Sequence, residues 1–327
     1  MPFSIERNDL ASVSADVIIV AANEDLQITG GVGKAVAQVA GFEKVQEACN
    51  AIGHCPTGSA VVTPALDLPA QAIIHAVGPI WQGGTHNEVA SLRSAYDAAL
   101  SLAAENNASS IALPLLSAGV YGFPVDISLS VAQNAIHDFL DSHDSEIRLV
   151  LFDHSALQAG LLAYDRIKEY IDDVYVDKHS SAREKTREAD DEVIYAAALA
   201  AETFGQSPCL SELLSSLDAS FSTTLLSLID AKGMTDAQVY KRANMSRQLF
   251  SKIRSDALYK PTKKTVLALA IALELDLDAT EDLLRRAGFA LSHSNKADII
   301  VEYFITNNQF DIFEINATLY AFDQPLL

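Results

Sequence analysis

Two loops of small residues, each directly after an aliphatic run, constrain this chain more than any other feature. The first follows Val17–Ala21 and contains Asn23 and then Gly30-Gly31-Val32-Gly33. The second follows residues 111–115 and reads Ser117-Ala118-Gly119-Val120-Tyr121-Gly122. Backbone N–H groups on such loops, or at the helix N-termini behind them, bind phosphate without basic side chains. The two loops therefore predict a site for a phosphorylated ligand.

Composition narrows the ligands that these loops can serve. The 327-residue sequence has a formal net charge of −20, which argues against a general binder of polyanions. Binding of an anionic ligand then depends on local positive potential from the backbone. The three cysteines, Cys49, Cys55 and Cys209, are too few and too scattered for a disulfide framework or a zinc cluster. We therefore expect no metal and no cofactor.

The start of the chain is charged, with Glu6, Arg7 and Asp9, and does not look like a secretory signal. No apolar run reaches the length that spans a membrane. These two observations predict a cytoplasmic protein with no membrane partner.

Hydrophobic periodicity divides the chain into three parts. Residues 1–172 alternate short aliphatic strands with amphipathic helices, which is typical of an α/β domain with a parallel or mixed sheet. Residues 173–206 are dense in charge and predict a partly helical linker. Residues 207–327 lack strand patterns and consist of short helical segments. We expect a separate all-α domain there.

The polar residues near the first loop suit a nucleotide. Asn23 follows a buried strand, and its amide both donates and accepts, which suits a ribose hydroxyl. Asp9 is a carboxylate that can accept from an exocyclic amine such as that of adenine. Each residue alone also has an ordinary structural role: Asn23 as a turn residue, Asp9 as a helix cap or a surface carboxylate, and the glycines as a turn.

Taken together, these segments resemble the macro domain family, the ADP-ribose-binding module, over about residues 3–172. Residues 16–23 look like its Asp-Ala-Ile-Val-Asn-Ala-Ala-Asn segment, and residues 29–33 resemble its Gly-Gly-Gly-Val loop. Other segments that fall in family order are Asn8-Asp9-Leu10, Ala40-Gly41, Cys55-Pro56-Thr57-Gly58, Ile74-His75-Ala76-Val77-Gly78-Pro79, Trp81, Ser110-Ile111-Ala112-Leu113-Pro114 and Ser117-Ala118-Gly119-Val120-Tyr121-Gly122-Phe123-Pro124.

The resemblance implies a three-layer α/β/α fold with a mixed sheet. It also implies site roles: Asp9 and Leu10 at the adenine, Asn23 at the distal ribose as the catalytic positioning residue, and Phe152 as a weaker candidate for stacking on adenine. The implied lining of the diphosphate and distal ribose comprises Ala22, Gly30, Gly31, Val32, Gly33, Ser117, Ala118, Gly119, Val120 and Tyr121. The implied reaction is cleavage at the anomeric carbon, which releases ADP-ribose from an ester-linked modified protein.

The sequence departs from the family pattern at the reaction centre. Val20 replaces an Asn, Thr29 replaces a Gly, and Gly33 stands where the best hydrolases of the family carry a catalytic Asp. Lys34, which follows, is a phosphate contact or a solvated residue. Two functions remain open: an ADP-ribosyl hydrolase, or a regulator that senses ADP-ribose and binds DNA or a protein partner through its helical domain.

The helical region contains a second motif. Residues 236–242 predict one helix, 243–245 a turn and 247–254 a second helix, which resembles the lambda-repressor-like, Xre-type helix-turn-helix over about residues 221–289. We expect Leu249 and Ile253 to face inward. The exposed polar set, suited to bases or phosphates, would be Arg247, Gln248, Ser251, Lys252 and Arg254. DNA and a protein partner are both compatible with this pattern.

Overall fold

A computed structural model describes residues 2–151, Ile167, Tyr170, Ile171 and 219–327. The expected positions of Phe152 and of the linker 173–206 lie outside the described residues. The described residues form six strands: β1 (Phe3–Arg7), β2 (Val17–Ala21), β3 (Ser59–Pro64), β4 (Ala72–Val77), β5 (Ser110–Pro114) and β6 (Glu146–Leu151). The helices are α1 (Gly31–Ala40), α2 (Phe42–Ile52), α3 (Glu88–Glu105), α4 (Val125–Ser142), α5 (Phe221–Lys232), α6 (Asp236–Arg242), α7 (Arg247–Ser255), α8 (Lys263–Ala272), α9 (Leu277–Arg286), α10 (Lys296–Thr306) and α11 (Ile312–Ala321).

The strands form one sheet in the order β1-β6-β5-β2-β4-β3. Strand β3 runs antiparallel to β4, and the other neighbours are parallel. The expected mixed sheet is confirmed. Central strands are continuous aliphatic runs because both of their faces are covered, and Val17–Val20 are at most 2% exposed.

Helices cover both faces of the sheet. Helices α1 and α2 pack on each other and on β2 and β3, whereas α3 packs on α4, β3 and β4. Strand β1 escaped the periodicity analysis. It is a five-residue edge strand in which polar residues alternate with buried Phe3 and Ile5, and so short an alternation carries little signal.

Contacts divide the described residues into two compact units. The first comprises residues 2–151, Tyr240–Arg247 and Ile312–Leu326. Within it, Asn244 lies against the edge strand: its Nδ2 donates to the Phe3 carbonyl at 2.8 Å, and its Oδ1 accepts from the Phe3 N–H at 3.0 Å. The Phe3 ring meets Phe313 edge-on at 5.0 Å. These contacts satisfy part of an otherwise open sheet edge.

The second unit comprises Ile167, Tyr170, Ile171, residues 219–239 and Gln248–Asp311, with Leu327. Its described regular elements are helical, and α8 is its most buried helix, since every residue from Val266 to Ala272 is buried. Side-chain caps begin four of its described helices: Ser220 at α5, Thr262 at α8, Asp276 at α9 and Asn295 at α10.

Helix α6 has the predicted bounds, and α7 ends one residue later than predicted, at Ser255. The packing of α7 also differs from the prediction. Phe250 and Ile253 are the buried residues of α7, whereas Leu249 is half-buried. The expected inward pair, Leu249 and Ile253, is therefore corrected to Phe250 and Ile253. Both pairs fit a helical spacing of three or four residues, so the periodicity alone did not separate them.

Candidate functional site

A cavity of about 430 Å³ opens at the carboxyl ends of β2 and β5. These strands are parallel neighbours, and ligands of open α/β sheets bind in the crevice beyond the carboxyl ends of such strands. The lining residues are Val20, Ala21, Ala22, Asn23, Leu26, Gln27, Ile28, Thr29, Gly30, Gly31, Val32, Gly33, His75, Pro114, Leu115, Ser117, Gly119, Val120 and Tyr121.

Most of the expected phosphate and ribose residues lie together in this lining. They are Ala22, Asn23, Gly30, Gly31, Val32, Gly33, Ser117, Gly119, Val120 and Tyr121. Ala118 belongs to the same loop but does not line the cavity, and neither Asp9 nor Leu10 does. Apolar residues such as Leu26, Ile28 and Leu115 were missed, because nothing in their sequence context marks them as site residues.

Asn23 has a structural task in the first loop. Its Oδ1 accepts from the Gln27 N–H, and its Nδ2 donates to the Gln27 carbonyl, both at 2.9 Å. An Asn amide has two N–H donors and two acceptor lone pairs on its oxygen. One donor and one lone pair of Asn23 therefore remain for a ligand, while the other two hold the loop.

The glycine segment begins a helix instead of preceding one. The helical pattern in the sequence predicts a first helix from Lys34, but α1 starts at Gly31. Gly31 has a φ of +63°, a conformation that glycine adopts at little cost. The first-turn N–H groups of a helix have no intrahelical partner, so this end of α1 presents donors beside the cavity. Lys34 is exposed and lies outside the lining.

The second loop is held from behind by side chains. The Leu116 N–H donates to the Tyr96 hydroxyl, and the Ser128 hydroxyl donates to the Leu116 carbonyl, both at 2.8 Å. The Phe123 N–H donates to the Ser117 carbonyl at 3.1 Å. These bonds fix the backbone before and after the turn, so the loop is preorganised.

Ser117 is strained and has an unsatisfied hydroxyl. Its φ is +61°, which an L-residue other than glycine adopts at a cost of about 1 kcal/mol. Its Oγ is buried and has no hydrogen-bond partner among the described residues. A Cβ added at Gly78 would collide with this oxygen. Strain and an orphaned polar atom together are typical of a ligand site.

The lining contains no Lys, Arg, Asp or Glu among the described residues. Burial lowers the pKa of His75 to about 4, and its Nε2 lies 2.8 Å from the Thr63 hydroxyl. Burial, and then the nearby Glu24 charge, raise the pKa of Tyr121. Both side chains are therefore neutral at pH 7, and the positive potential in the cavity comes from backbone dipoles.

Two other groups of polar residues have plain structural settings. Asp9 accepts from the Ala11 N–H at 3.0 Å and caps a single 3₁₀ turn. His137, Asp138 and Asp141 lie close enough on the exposed face of α4 to share an ion, a grouping that sequence analysis did not single out. Exposed acidic groups are common without a metal.

The five expected nucleic-acid contacts are all exposed on α7. Arg254 is already paired with Asp236, and the Lys252 ammonium lies 5.8 Å from the centre of the Tyr259 ring. Arg247, Gln248 and Ser251 complete the set.

Comparison with known proteins places the sheet and cavity in a family. Residues 19–132 match the model of the macro domain. A macro domain-containing protein of Listeria monocytogenes is 44% identical over 165 residues, which cover 48% of this chain and 94% of the relative. An O-acetyl-ADP-ribose deacetylase of Escherichia fergusonii is 43% identical over 153 residues, covering 45% and 86%. A Trypanosoma brucei macrodomain solved in complex with ADP-ribose is 28% identical, with a TM-score of 0.45 and coverage of 50% and 68%.

The fold and the cavity define an α/β protein with a crevice at the carboxyl edge of its sheet. The chain belongs to the macro domain family. Among the described residues, no helix is both long enough and apolar enough to cross a membrane.

Proposed function

We propose that the cavity binds ADP-ribose and that the chain hydrolyses ester-linked ADP-ribose from modified proteins. The observation that carries the proposal is the buried, unpartnered Ser117 hydroxyl, held in strained backbone beside the cavity. A phosphate oxygen is the kind of acceptor that satisfies such a donor. The name of the Escherichia fergusonii relative supports an ester of ADP-ribose as the substrate.

In this proposal the two loops hold the diphosphate from opposite sides. The N-terminus of α1 and the turn at Gly119 supply backbone N–H groups, and the remaining donor and lone pair of Asn23 hold the distal ribose. Tyr121 packs against that ribose. The adenine would extend toward Asp9 and Leu10, beyond the cavity, with Phe152 as a further candidate.

The proposed reaction breaks the bond between the anomeric carbon and the ester oxygen of a modified carboxyl side chain. Water adds to the anomeric carbon, and the products are ADP-ribose and the free carboxylic acid. The described lining offers no carboxylate base, because Gly33 has no side chain. The phosphates of the substrate would then orient the water, and the protein would contribute positioning by Asn23 and electrostatic stabilisation by the loops.

Calorimetry with ADP-ribose and mass spectrometry of a glutamate-linked ADP-ribosylated protein test the proposal together. We expect saturable binding of ADP-ribose and time-dependent release of ADP-ribose from the modified protein. Incubation with O-acetyl-ADP-ribose examines the small-molecule ester in parallel. Binding without release of either product would leave a reader of ADP-ribose and reject the hydrolase, and the absence of binding would reject the ligand.

Asn23→Ala is the informative variant. We expect it to abolish turnover while it spares part of the binding, because the loops still hold the diphosphate. Gln38→Ala is the matched control, since it removes an exposed amide side chain on α1. Turnover that persists in Asn23→Ala would remove Asn23 from the reaction.

A second candidate function is a regulator in which the helical region binds DNA or a protein partner. The observation that favours it is the exposed polar face of α7, whose bounds match the predicted second helix of a helix-turn-helix. Arg247 and Lys252 are the residues of choice for a test, because Arg254 is engaged with Asp236.

Fluorescence anisotropy with labelled duplex DNA at several salt concentrations distinguishes these partners. DNA binding that weakens with salt, and that Arg247→Glu with Lys252→Glu abolishes, would support the DNA-binding reading. Binding that is absent, or unchanged by the charge reversals, would reject it and leave a protein partner.

A further inference from the structure

A buried carboxylate outside the cavity organises the segment that follows β4. Glu88, the first residue of α3, is 3% exposed. Its Oε1 accepts from the Gln82 N–H at 3.1 Å and from the Gly84 N–H at 3.0 Å, and its Oε2 accepts from the His86 N–H at 2.5 Å. Burial raises the pKa of this carboxyl, but the backbone N–H groups of Glu88 itself, His86, Gly84 and Gln82 together outweigh burial and hold the pKa below its usual value.

This segment contacts the second loop of the cavity through Trp81. The Trp81 N–H donates to the Tyr121 carbonyl at 2.9 Å. The Trp81 ring packs against buried Phe123, with 4.6 Å between ring centres. Tyr121 lines the cavity, and the Phe123 N–H closes the loop on the Ser117 carbonyl. A continuous set of contacts thus runs from Glu88 to the loop.

Gly83 and Gly84 make the geometry specific. Both have left-handed backbone, with φ of +97° and +83°. A Cβ at Gly84 would lie 2.9 Å from the Trp81 ring, whereas a Cβ at Gly83 would meet nothing within 4 Å. Gly84 therefore lies close against the Trp81 ring, and the hydrogen bond from its N–H to the Glu88 carboxylate keeps it in that position.

We propose that Glu88 is a positioning residue for ligand binding: it fixes residues 82–86, which hold Trp81 against the second loop and keep that loop preorganised. The inference rests on the proposed function in one respect: the affinity that tests it is measured with ADP-ribose. Preorganisation raises affinity because the loop loses less freedom when the ligand binds. The alternative is that the Glu88 carboxylate stabilises only the turn formed by residues 82–86 and has no effect on the second loop.

Glu88→Gln tests the first contact. An amide has only one acceptor oxygen, so its NH₂ group would face a backbone N–H in place of an acceptor. We expect the dissociation constant for ADP-ribose to rise about tenfold. Trp81 is the only tryptophan in the sequence, so selectively excited tryptophan fluorescence, which leaves out the tyrosines, reports this segment. We expect its emission to shift to the red and acrylamide to quench it more strongly.

Glu105→Gln is the matched control, because it makes the same change at an exposed residue of the same helix. Unchanged Trp81 fluorescence and affinity in a folded Glu88→Gln protein would overturn the inference. Altered fluorescence with unchanged affinity would also overturn it, because Glu88 would then stabilise only its own turn. If the wild-type chain binds no ADP-ribose, the proposed function fails, whereas the fluorescence still reports the segment.

A second pair of variants avoids the carboxylate. Gly84→Ala and Gly83→Ala both place a side chain in left-handed backbone, but only Gly84→Ala collides with Trp81. We expect weaker ADP-ribose binding and altered fluorescence for Gly84→Ala relative to Gly83→Ala. Hydrogen exchange on the wild-type protein needs no variant: the amides of Gln82, Gly84 and His86 should be protected although these residues are exposed. Rapid exchange there would overturn the inference.

Discussion

Asn23 and Gln27 are joined by two hydrogen bonds of 2.9 Å, in which the side-chain amide of Asn23 pairs with both peptide groups of Gln27. Because Asn23 also lines the cavity, one side chain shapes the loop and faces the ligand. Substitutions at Asn23 therefore change two properties, and they have to be chosen to separate them.

Asn23→Asp is expected to weaken ADP-ribose binding more than Asn23→Ala does. The carboxylate keeps an acceptor for the Gln27 N–H but loses the donor to the Gln27 carbonyl, and in the proposed complex it adds a negative charge at the distal ribose, which is joined to the diphosphate. Calorimetry at low and high salt measures the difference, which should shrink as salt screens the repulsion. Equal affinity of the two variants at low salt would place the diphosphate away from Asn23.

Gly33→Asp is expected to raise the rate of ADP-ribose release by about tenfold or more, the usual range for an added general base being 10²–10⁴. The resemblance to the family places its catalytic Asp at this position. A Cβ at Gly33 would lie 3.2 Å from the Ala21 carbonyl oxygen, so the backbone has to move by a few tenths of an ångström. Gly33→Ala is the control, because it requires the same backbone movement but adds no carboxylate. Equal rates of ADP-ribose release for Gly33→Asp and Gly33→Ala would show that a carboxylate at position 33 does not act as a general base.

Stability should depend on pH through His75. Its pKa is lowered from 6.5 to about 4 by burial, so the unfolded chain takes up a proton at a higher pH than the folded chain does. The free energy of unfolding therefore falls as the pH drops through 6.5 and stops falling on this account below about 4. Between about pH 7 and about pH 5 the loss is about 2 kcal/mol.

Denaturant titrations of the wild type and of His75→Gln measure this dependence. The variant should be less stable at neutral pH, but its stability should vary less with pH over the same interval. The same slope in both proteins would mean that His75 gains a proton without unfolding.

Asn244→Ala should lower the free energy of unfolding by about 1–3 kcal/mol, because the buried main chain of Phe3 loses both partners. The substitution also places alanine in left-handed backbone, since Asn244 has a φ of +49°. Asn107→Ala is the matched control, with a φ of +55° and an exposed side chain. Equal losses in the two variants would assign the whole effect to backbone conformation.

The sequence predicted the parts of the fold that carry strong local patterns. The aliphatic run Val17–Ala21 forms β2, and the helices predicted at 236–242 and 247–254 form α6 and α7, with α7 one residue longer, since aliphatic runs and helical spacing mark them clearly. The edge strand β1 was missed, and α1 starts three residues earlier than predicted. Glycine is a poor helix former, so a helix that begins on glycines at a ligand site gives no local signal.

The sequence predicted the parts of the candidate site that are built from loop backbone. It did not predict the contributions of side chains from distant segments. The two glycine-bearing loops were evident in the sequence. The sequence favours His75 as a satisfied strand residue over a catalytic base. Its hydrogen bond to Thr63 agrees with that interpretation, yet His75 also lines the cavity. The role of Glu88 depends on three backbone N–H groups and on the loop beyond them. No spacing in the sequence reports such contacts.

The cavity has no cationic side chain in its described lining, and this changes the expected effect of ionic strength on ligand binding. A site built from Lys and Arg loses affinity for phosphates as salt rises. In the proposed complex the attraction would come from short-range dipoles that salt hardly screens, while the chain as a whole carries a charge of −20. Added salt then chiefly relieves the long-range repulsion of an anionic ligand. Association with ADP-ribose should become faster, not slower, as the solution approaches physiological salt.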